Sequence, residues 1–182
     1  MRHTSLDDAA LRDRISATLR DVPDFPKPGI MFKDVTPVLG NPALLRDVIA
    51  AMSAPWLAHD ITHVAGIESR GFIFGAPIAL ALGAGFIPIR KPGKLPWRTV
   101  VQEYALEYRT DRLEIHVDAC SARSRVLLVD DVLATGGTAG AACDLIGRLE
   151  GEVVGCSFLL AISALRGIAR LAGRRVETLI EV

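Results

Sequence analysis

Apolar residues recur at helical spacing at Leu11, Ile15, Leu19 and Val22, behind a Ser5 and Asp8 pair that approximates a capping box. A first helix is predicted there, ended by Pro23. From Pro23 onward, Pro26, Pro28, Pro37 and Pro42 fix φ and push each preceding residue toward extended geometry, so an irregular segment is expected. A loop of that length is commonly functional. Asn41 as N-cap and Pro42 at the first helical position predict a second helix, with Leu44, Leu45, Val48, Ile49 and Met52 facing inward.

The pattern then changes to short apolar runs separated by helical stretches. Residues 61–67, 85–90, 125–130 and 153–162 read as strands buried on both faces, which predicts a parallel sheet. Residues 99–117 differ: two polar, alternating segments flank Thr110, Asp111 and Arg112 and predict an exposed antiparallel hairpin that projects from the body. Residues 71–89 carry no charge and approach the length of a membrane span, but Gly83, Gly85 and Pro88 break them into a buried helix followed by a buried strand. No repeat or linker is visible. The expected organisation is one α/β domain over residues 1–182, with an N-terminal helix and flap over residues 1–40.

Half of the 182 residues are hydrophobic (50%), enough for one substantial core. Lys+Arg and Asp+Glu both number 21, so no overall basic field exists to gather nucleic acid or an anionic membrane, and neither is expected as a partner. Any anion site must be local. Cys120, Cys143 and Cys156 are an odd set without CxxC spacing, which predicts buried free thiols rather than a disulfide framework or a zinc site. The charged N-terminus lacks the apolar stretch of a secretory leader, and with the cysteines it points to a reducing, cytoplasmic setting. His59 and His63 are spaced i, i+4, but a strand begins between them, so no metal pair is predicted. His116 is expected to point out of the hairpin.

The most informative stretch is RVLLVDDVLATGGTA, residues 125–139, where an apolar strand ends in two carboxylates and passes through Ala134, Thr135, Gly136, Gly137 and Thr138 into a helix. Glycines let the backbone turn its N–H groups inward, and the helix start adds unpaired donors and a positive dipole end, which together suit a phosphate dianion. Thr135 and Thr138 add hydroxyl donors. Neither Gly-Lys-Ser/Thr nor G-x-G-x-x-G spacing is present, so a P-loop and a dinucleotide fingerprint are both excluded. Asp130 and Asp131 stand at the carboxyl end of the strand, where acceptor-only side chains can hold the two hydroxyls of a ribose. A sugar phosphate is the implied ligand.

VLLVDDVLATGGT resembles the phosphoribosyl pyrophosphate motif of type I phosphoribosyltransferases. FPKPGIMFKDVTP, GIESRGFIFG, IRKPGKLP, and EYALEY with LEIHVDA resemble, in order and spacing, the adenine phosphoribosyltransferases of that group. The resemblance implies the type I fold: a core parallel sheet flanked by helices, an N-terminal hood, and a flexible lid over residues 94–112. It implies transfer of the phosphoribosyl group to adenine, giving AMP and pyrophosphate, with Mg2+ held mainly through the substrate rather than by direct protein ligands. It also implies a homodimer. By the same resemblance Glu68, Ser69 and Arg70 hold the pyrophosphate, and Arg90, Lys91 and Lys94 neutralise its charge as it departs. Arg70, Glu107 and Tyr108 are the implied catalytic residues, Glu107 moving a proton of the purine while the lid excludes water.

The resemblance further implies that adenine lies against Phe32, near Lys33, covered by Ile162 and read by main-chain groups of Ile30 and Met31. Ala134 stands where enzymes for 6-oxopurines typically carry an aspartate, which removes their proton donor and favours a 6-aminopurine. Arg109 departs from the glycine that usually follows LEY, Lys33 stands where arginine also occurs, and Trp97-Arg98 makes the lid base bulky. The alternatives are transfer to another base such as xanthine, and a non-catalytic regulator that senses phosphoribosyl pyrophosphate.

Overall fold

In a computed structural model, residues 6–105 and 110–182 are described, and they divide into two compact units, Met1–Ala51 and Met52–Val182. Ser5, Glu107, Tyr108 and Arg109 lie outside the described residues.

In the first unit, α1 (Leu6–Thr18) ends earlier than its spacing predicts. Leu19 closes the last turn onto Ile15, and residues from Arg20 pair with a second strand instead. β1 (Arg20–Pro23) and β2 (Met31–Asp34) form an antiparallel hairpin with Val22 opposite Phe32, so Val22 is a strand residue and the proline-rich segment is not wholly irregular. The prolines shape the connection, and the ladder forms on either side of it. A short α2 (Thr36–Leu39) follows, its first N–H held by the Asp34 carboxylate at 2.9 Å. α3 (Pro42–Ser53) starts as expected: the Asn41 side chain accepts the Leu44 N–H at 3.1 Å.

The second unit is built on five parallel strands in the order β4-β3-β7-β8-β9. They are β3 (His63–Ile67), β4 (Gly85–Ile89), β7 (Arg125–Leu133), β8 (Glu152–Ala161) and β9 (Arg175–Glu181). β7 and β8 run through the middle and are almost wholly buried, which is why they read as unbroken apolar runs. β9 escapes that reading because it is an edge strand, and Arg175, Glu177 and Glu181 interrupt its apolar side chains. The uncharged stretch at residues 71–89 is α4 (Arg70–Leu82), a left-handed cap at Gly83, and β4. No helix among the described residues is long and apolar enough to cross a membrane.

β5 (Thr99–Ala105) and β6 (Thr110–His116) form the expected antiparallel hairpin, with two corrections. Asp111 pairs with Tyr104 and Arg112 with Glu103, so these residues belong to the ladder rather than to its turn. The hairpin does not simply project: Leu113 and Ile115 are fully buried in the main core, because β6 bridges the sheet edge through Arg90 and Glu114. Their alternation with polar neighbours marks a one-faced strand, not a free one. His116 is likewise half-buried, with its Nε2 enclosed and without a partner among the described residues.

Chain order along the sheet places a topological switch between β3 and β7: β3 leads outward to β4, whereas β7 starts the other half. Ligands of open α/β sheets bind at the carboxyl ends of such a pair.

Candidate active site

The β3 and β7 ends carry the polar residues singled out by the sequence. Beyond β7, residues 134–136 turn into α5 (Gly137–Arg148), and Gly136 adopts φ +77° as the N-cap of that helix. A side chain at Gly136 would be strained in that conformation and would also strike the Gly167 carbonyl at 2.4 Å. The turn is backed by a 3-10 turn at Gly167–Leu171, where a Cβ on Gly167 would lie 2.1 Å from the Ala134 carbonyl oxygen. The result is a cup of about 80 Å³ lined by Asp130, Ala134, Thr135, Gly136, Gly137 and Thr138. With about 30 Å³ per water, that is room for one small tetrahedral anion rather than a whole nucleotide.

Beside the cup lies a larger cavity of about 320 Å³, whose lining includes Glu68, Ser69 and Arg70 from the end of β3, Asp130 and Asp131 from β7, Thr138, and Lys91. Asp131 is buried and ion-paired to Arg70. Burial, and then the neighbouring Asp131 carboxylate, push the Asp130 carboxyl well above its usual range, against the Asp131 N–H that it accepts at 2.9 Å. Gly71 opens α4 without a Cβ, which would otherwise meet an Asp130 carboxylate oxygen at 2.9 Å. The Glu68–Ser69 peptide is cis.

The cationic loop is partly gathered into this cavity. Lys91 lines it and is ion-paired to Asp111. Arg90 donates to Glu68 at 2.7 Å and to the Lys94 carbonyl at 3.0 Å, so it braces the loop from outside the cavity lining. Lys94 is exposed and does not line the cavity.

Three residues beyond those singled out by the sequence stand at the same place. The Tyr104 hydroxyl lies 3.4 Å from Lys91 Nζ and accepts a hydrogen bond from Thr138 at 3.3 Å, joining the hairpin to the cup. Asp111 enters from β6. Glu114, buried on the same strand, holds the cationic loop. Tyr104 lies inside the EYALEY block and Asp111 just after it, so proximity in sequence was an available signal. Gly167 offers none, because its partner is 33 positions away.

Of the residues expected at the base, Ile162 lines an apolar cavity of about 310 Å³ with Leu133, Ala161, Gly167 and Ile168, at the carboxyl ends of β7 and β8. The others belong to the first unit. There Phe32 stacks edge to face on Phe25 at 5.1 Å, Lys33 pairs with Asp21 at 2.6 Å, and Met31 is half exposed. The Ile30 N–H is given to the Lys27 carbonyl and its own carbonyl accepts from Phe25, leaving the second lone pair of that oxygen. Among the described residues no group of His, Cys, Asp and Glu is arranged to hold a metal ion. The three cysteines are free.

A parallel sheet with a switch at two acids, a small cup at a helix start and an adjoining cavity in which Arg70 and Lys91 stand among carboxylates fits a transferase of phosphorylated sugars. A family model described as phosphoribosyl transferase domain matches residues 35–176. An adenine phosphoribosyltransferase of Myxococcus xanthus is 59% identical over 97% of this chain and 96% of its own length. The crystal structure of the Rhodothermus marinus enzyme of that name superposes with a TM-score of 0.92 at 51% identity, covering 96% of this chain and 99% of the other. That of the Saccharomyces cerevisiae enzyme, complexed with an imino-altritol bisphosphate and adenine, gives 0.88 at 38% identity over 94% and 99%. The chain belongs to the adenine phosphoribosyltransferase family and has the type I phosphoribosyltransferase fold.

Proposed function

We propose that this chain forms AMP and pyrophosphate from adenine and 5-phosphoribosyl 1-pyrophosphate, a step of purine salvage. The observation that carries the reading is the phosphate-sized cup directly beside the Asp130-Asp131 strand end and the cavity of Arg70 and Lys91. The cup takes the 5-phosphate on the backbone N–H groups of residues 135–138 and the threonine hydroxyls. Asp130 and Asp131 accept the ribose hydroxyls, and Arg70, Ser69, Glu68 and Lys91 surround the pyrophosphate, with Arg90 and Lys94 adding charge from the loop.

Adenine is assigned to the apolar cavity at Ile162 in the second unit; for Phe32, Lys33, Ile30 and Met31 the assignment to the base rests on the sequence resemblance. Its N9 forms a bond to the anomeric carbon as the bond from that carbon to pyrophosphate breaks. The purine ring proton released in this exchange is assigned to Glu107, with Tyr108 next to it in sequence as the second catalytic residue implied by the resemblance.

Among the described residues the larger cavity is lined by the carboxylates of Glu68, Asp111, Asp130 and Asp131 and by the cations of Arg70 and Lys91. A pyrophosphate group entering such a surface needs counter-charge of its own. The donors therefore fit Mg2+ that arrives on the substrate, and a bound ion there would neutralise the leaving oxygens. The reading extends to a homodimer, supported by the exposed apolar Ile73 and Leu80 on α4, and to a cytoplasmic setting, supported by the three free thiols.

Radiolabelled purines and pyrimidines incubated with 5-phosphoribosyl 1-pyrophosphate and magnesium test the activity and the base together. Adenine is expected to yield nucleotide, and turnover of hypoxanthine with none of adenine overturns the assignment.

A further inference from the structure

We propose that Asp111 is an internal competitor of the pyrophosphate group, holding the Lys91 ammonium until the substrate exchanges for it. The inference rests on the reading of the larger cavity as the pyrophosphate site. Two of its cations are already matched inside it, Arg70 by Asp131 and Lys91 by Asp111. An incoming polyanion must break one of these pairs or share its cation.

The two pairs are not equivalent. Asp131 belongs to central strand β7 and is buried, and its N–H is committed to Asp130. Asp111 belongs to the hairpin, on the rung next to Ala105 and Thr110 where the described ladder ends. Moving Asp131 disturbs the middle of the sheet, whereas moving Asp111 disturbs only the outer end of a two-stranded ribbon. Asp111 is therefore the group that yields.

Lys91 is equipped to survive the exchange. Its ammonium lies 5.8 Å from the centre of the Tyr104 ring and 3.4 Å from the Tyr104 hydroxyl, so a second contact remains when the carboxylate leaves. Burial pulls the ammonium toward deprotonation, but Asp111 and Tyr104 more than reverse this and hold its pKa above the usual value. The cation is thus kept charged and in place by a group that must then be displaced. The same hydroxyl stands 3.4 Å from the Asp111 carboxylate and is bonded by Thr138 of the cup, so the exchange is communicated to the phosphate turn.

The test uses the intact enzyme and two ligands, magnesium pyrophosphate and 5-phosphoribosyl 1-pyrophosphate, titrated by calorimetry. Asp111→Asn keeps the size of the side chain and removes its charge. A partly exposed ion pair is a weak competitor, so binding of both ligands is expected to tighten roughly 3- to 10-fold. The KM for adenine stays unchanged. Asp111→Ala gives the same sign, which separates loss of charge from any new contact of the amide. The gain disappears in a Lys91→Ala background, where there is no ammonium to compete for.

Binding that is unchanged or weaker in both Asp111 variants overturns the proposal, since Asp111 would then position Lys91 for the substrate or serve its metal ion. A gain that persists in full without Lys91 overturns it as well. Neither result bears on AMP formation by the wild-type chain, whose failure would instead remove the reading of the site.

Discussion

Glu114, only 5% exposed, accepts the backbone N–H of Lys94 at 3.1 Å and so ties the hairpin to the cationic loop. The same carboxylate accepts the Leu95 N–H at 3.1 Å and the Thr99 hydroxyl at 3.3 Å, while its main chain exchanges hydrogen bonds with Arg90. One residue therefore fixes residues 90–95 at both ends. Glu114→Ala leaves the Lys94 and Leu95 N–H groups without the acceptor of their partly buried hydrogen bonds and is expected to cost about 1–3 kcal/mol in denaturant unfolding. Misplacing Lys91 should raise the KM for 5-phosphoribosyl 1-pyrophosphate about 10-fold. The KM for adenine should hold. Glu114→Gln still accepts both N–H groups through its amide oxygen and can donate to the Thr99 hydroxyl, so it is expected to restore both quantities. Equal losses in the two variants would show that the charge, not the positioning, matters.

The phosphate cup depends on a backbone approach that no side chain permits. A methyl at Gly167 would lie 2.1 Å from the Ala134 carbonyl oxygen, a distance that forces either the cup or the 3-10 turn to move. Gly167→Ala is expected to lower AMP formation at least 10²-fold, because a shift of about 1 Å in a substrate-positioning loop has effects of that size. Gly173→Ala serves as the comparison. That position has positive φ, +83°, which Gly167 does not, and open space around its Cβ, so this variant carries a backbone strain that Gly167→Ala lacks while the cup is left alone. A fall in activity for Gly173→Ala as large as for Gly167→Ala would contradict the role of the contact.

Asp130 gives a pH dependence whose sign is the reverse of the usual carboxylate. Its folded pKa is raised, by burial first and by Asp131 second, so the folded state holds this proton more tightly than the unfolded chain. The stability it contributes is fully present below about pH 4, the ordinary range of an aspartate, and is lost as pH rises through the folded value. Asp130→Asn, which cannot ionise, should therefore be more stable than the wild type at neutral pH. The difference should shrink toward pH 4 in parallel urea titrations. Activity should fall in the same variant, because in the proposed reading the ribose hydroxyls lose a charged acceptor. A stability difference that grows on acidification would reverse the assignment.

Much of this architecture is legible before any coordinates. The runs that became β3, β4, β7 and β8 are apolar because both faces are covered, and Asn41-Pro42 marks a helix start by chemistry local to it. β9 was hidden by its edge position and its charges. β1 and β2 were hidden because a helical spacing continued into Val22 while the partner strand lay among prolines. In the site, residues 130–138 carry their chemistry in one contiguous string. Tyr104, Asp111 and Glu114 acquire theirs only when β6 meets the sheet edge at Arg90, and Gly167 only when its turn meets Ala134. Periodicity reports burial along a segment, and it carries no information about which distant segment supplies the neighbour.

Arg70 and Asp131 should separate stability from catalysis. Arg70→Ala leaves the Asp131 carboxylate, whose side chain is 5% exposed, without its cation, whereas the arginine itself is 42% exposed. Solvent on the arginine side moderates the loss, which is expected at about 1–3 kcal/mol rather than the larger figures for fully enclosed pairs. Adding Asp131→Asn removes the stranded charge, so the double variant should recover most of that stability. It should not recover turnover. In the proposed reading the guanidinium serves the pyrophosphate and the carboxylate the ribose, so each single substitution is expected to lower kcat/KM for 5-phosphoribosyl 1-pyrophosphate by roughly 10²-fold or more. Recovery of activity together with stability in the double variant would mean that the pair is a structural brace and that the transferred group is held elsewhere.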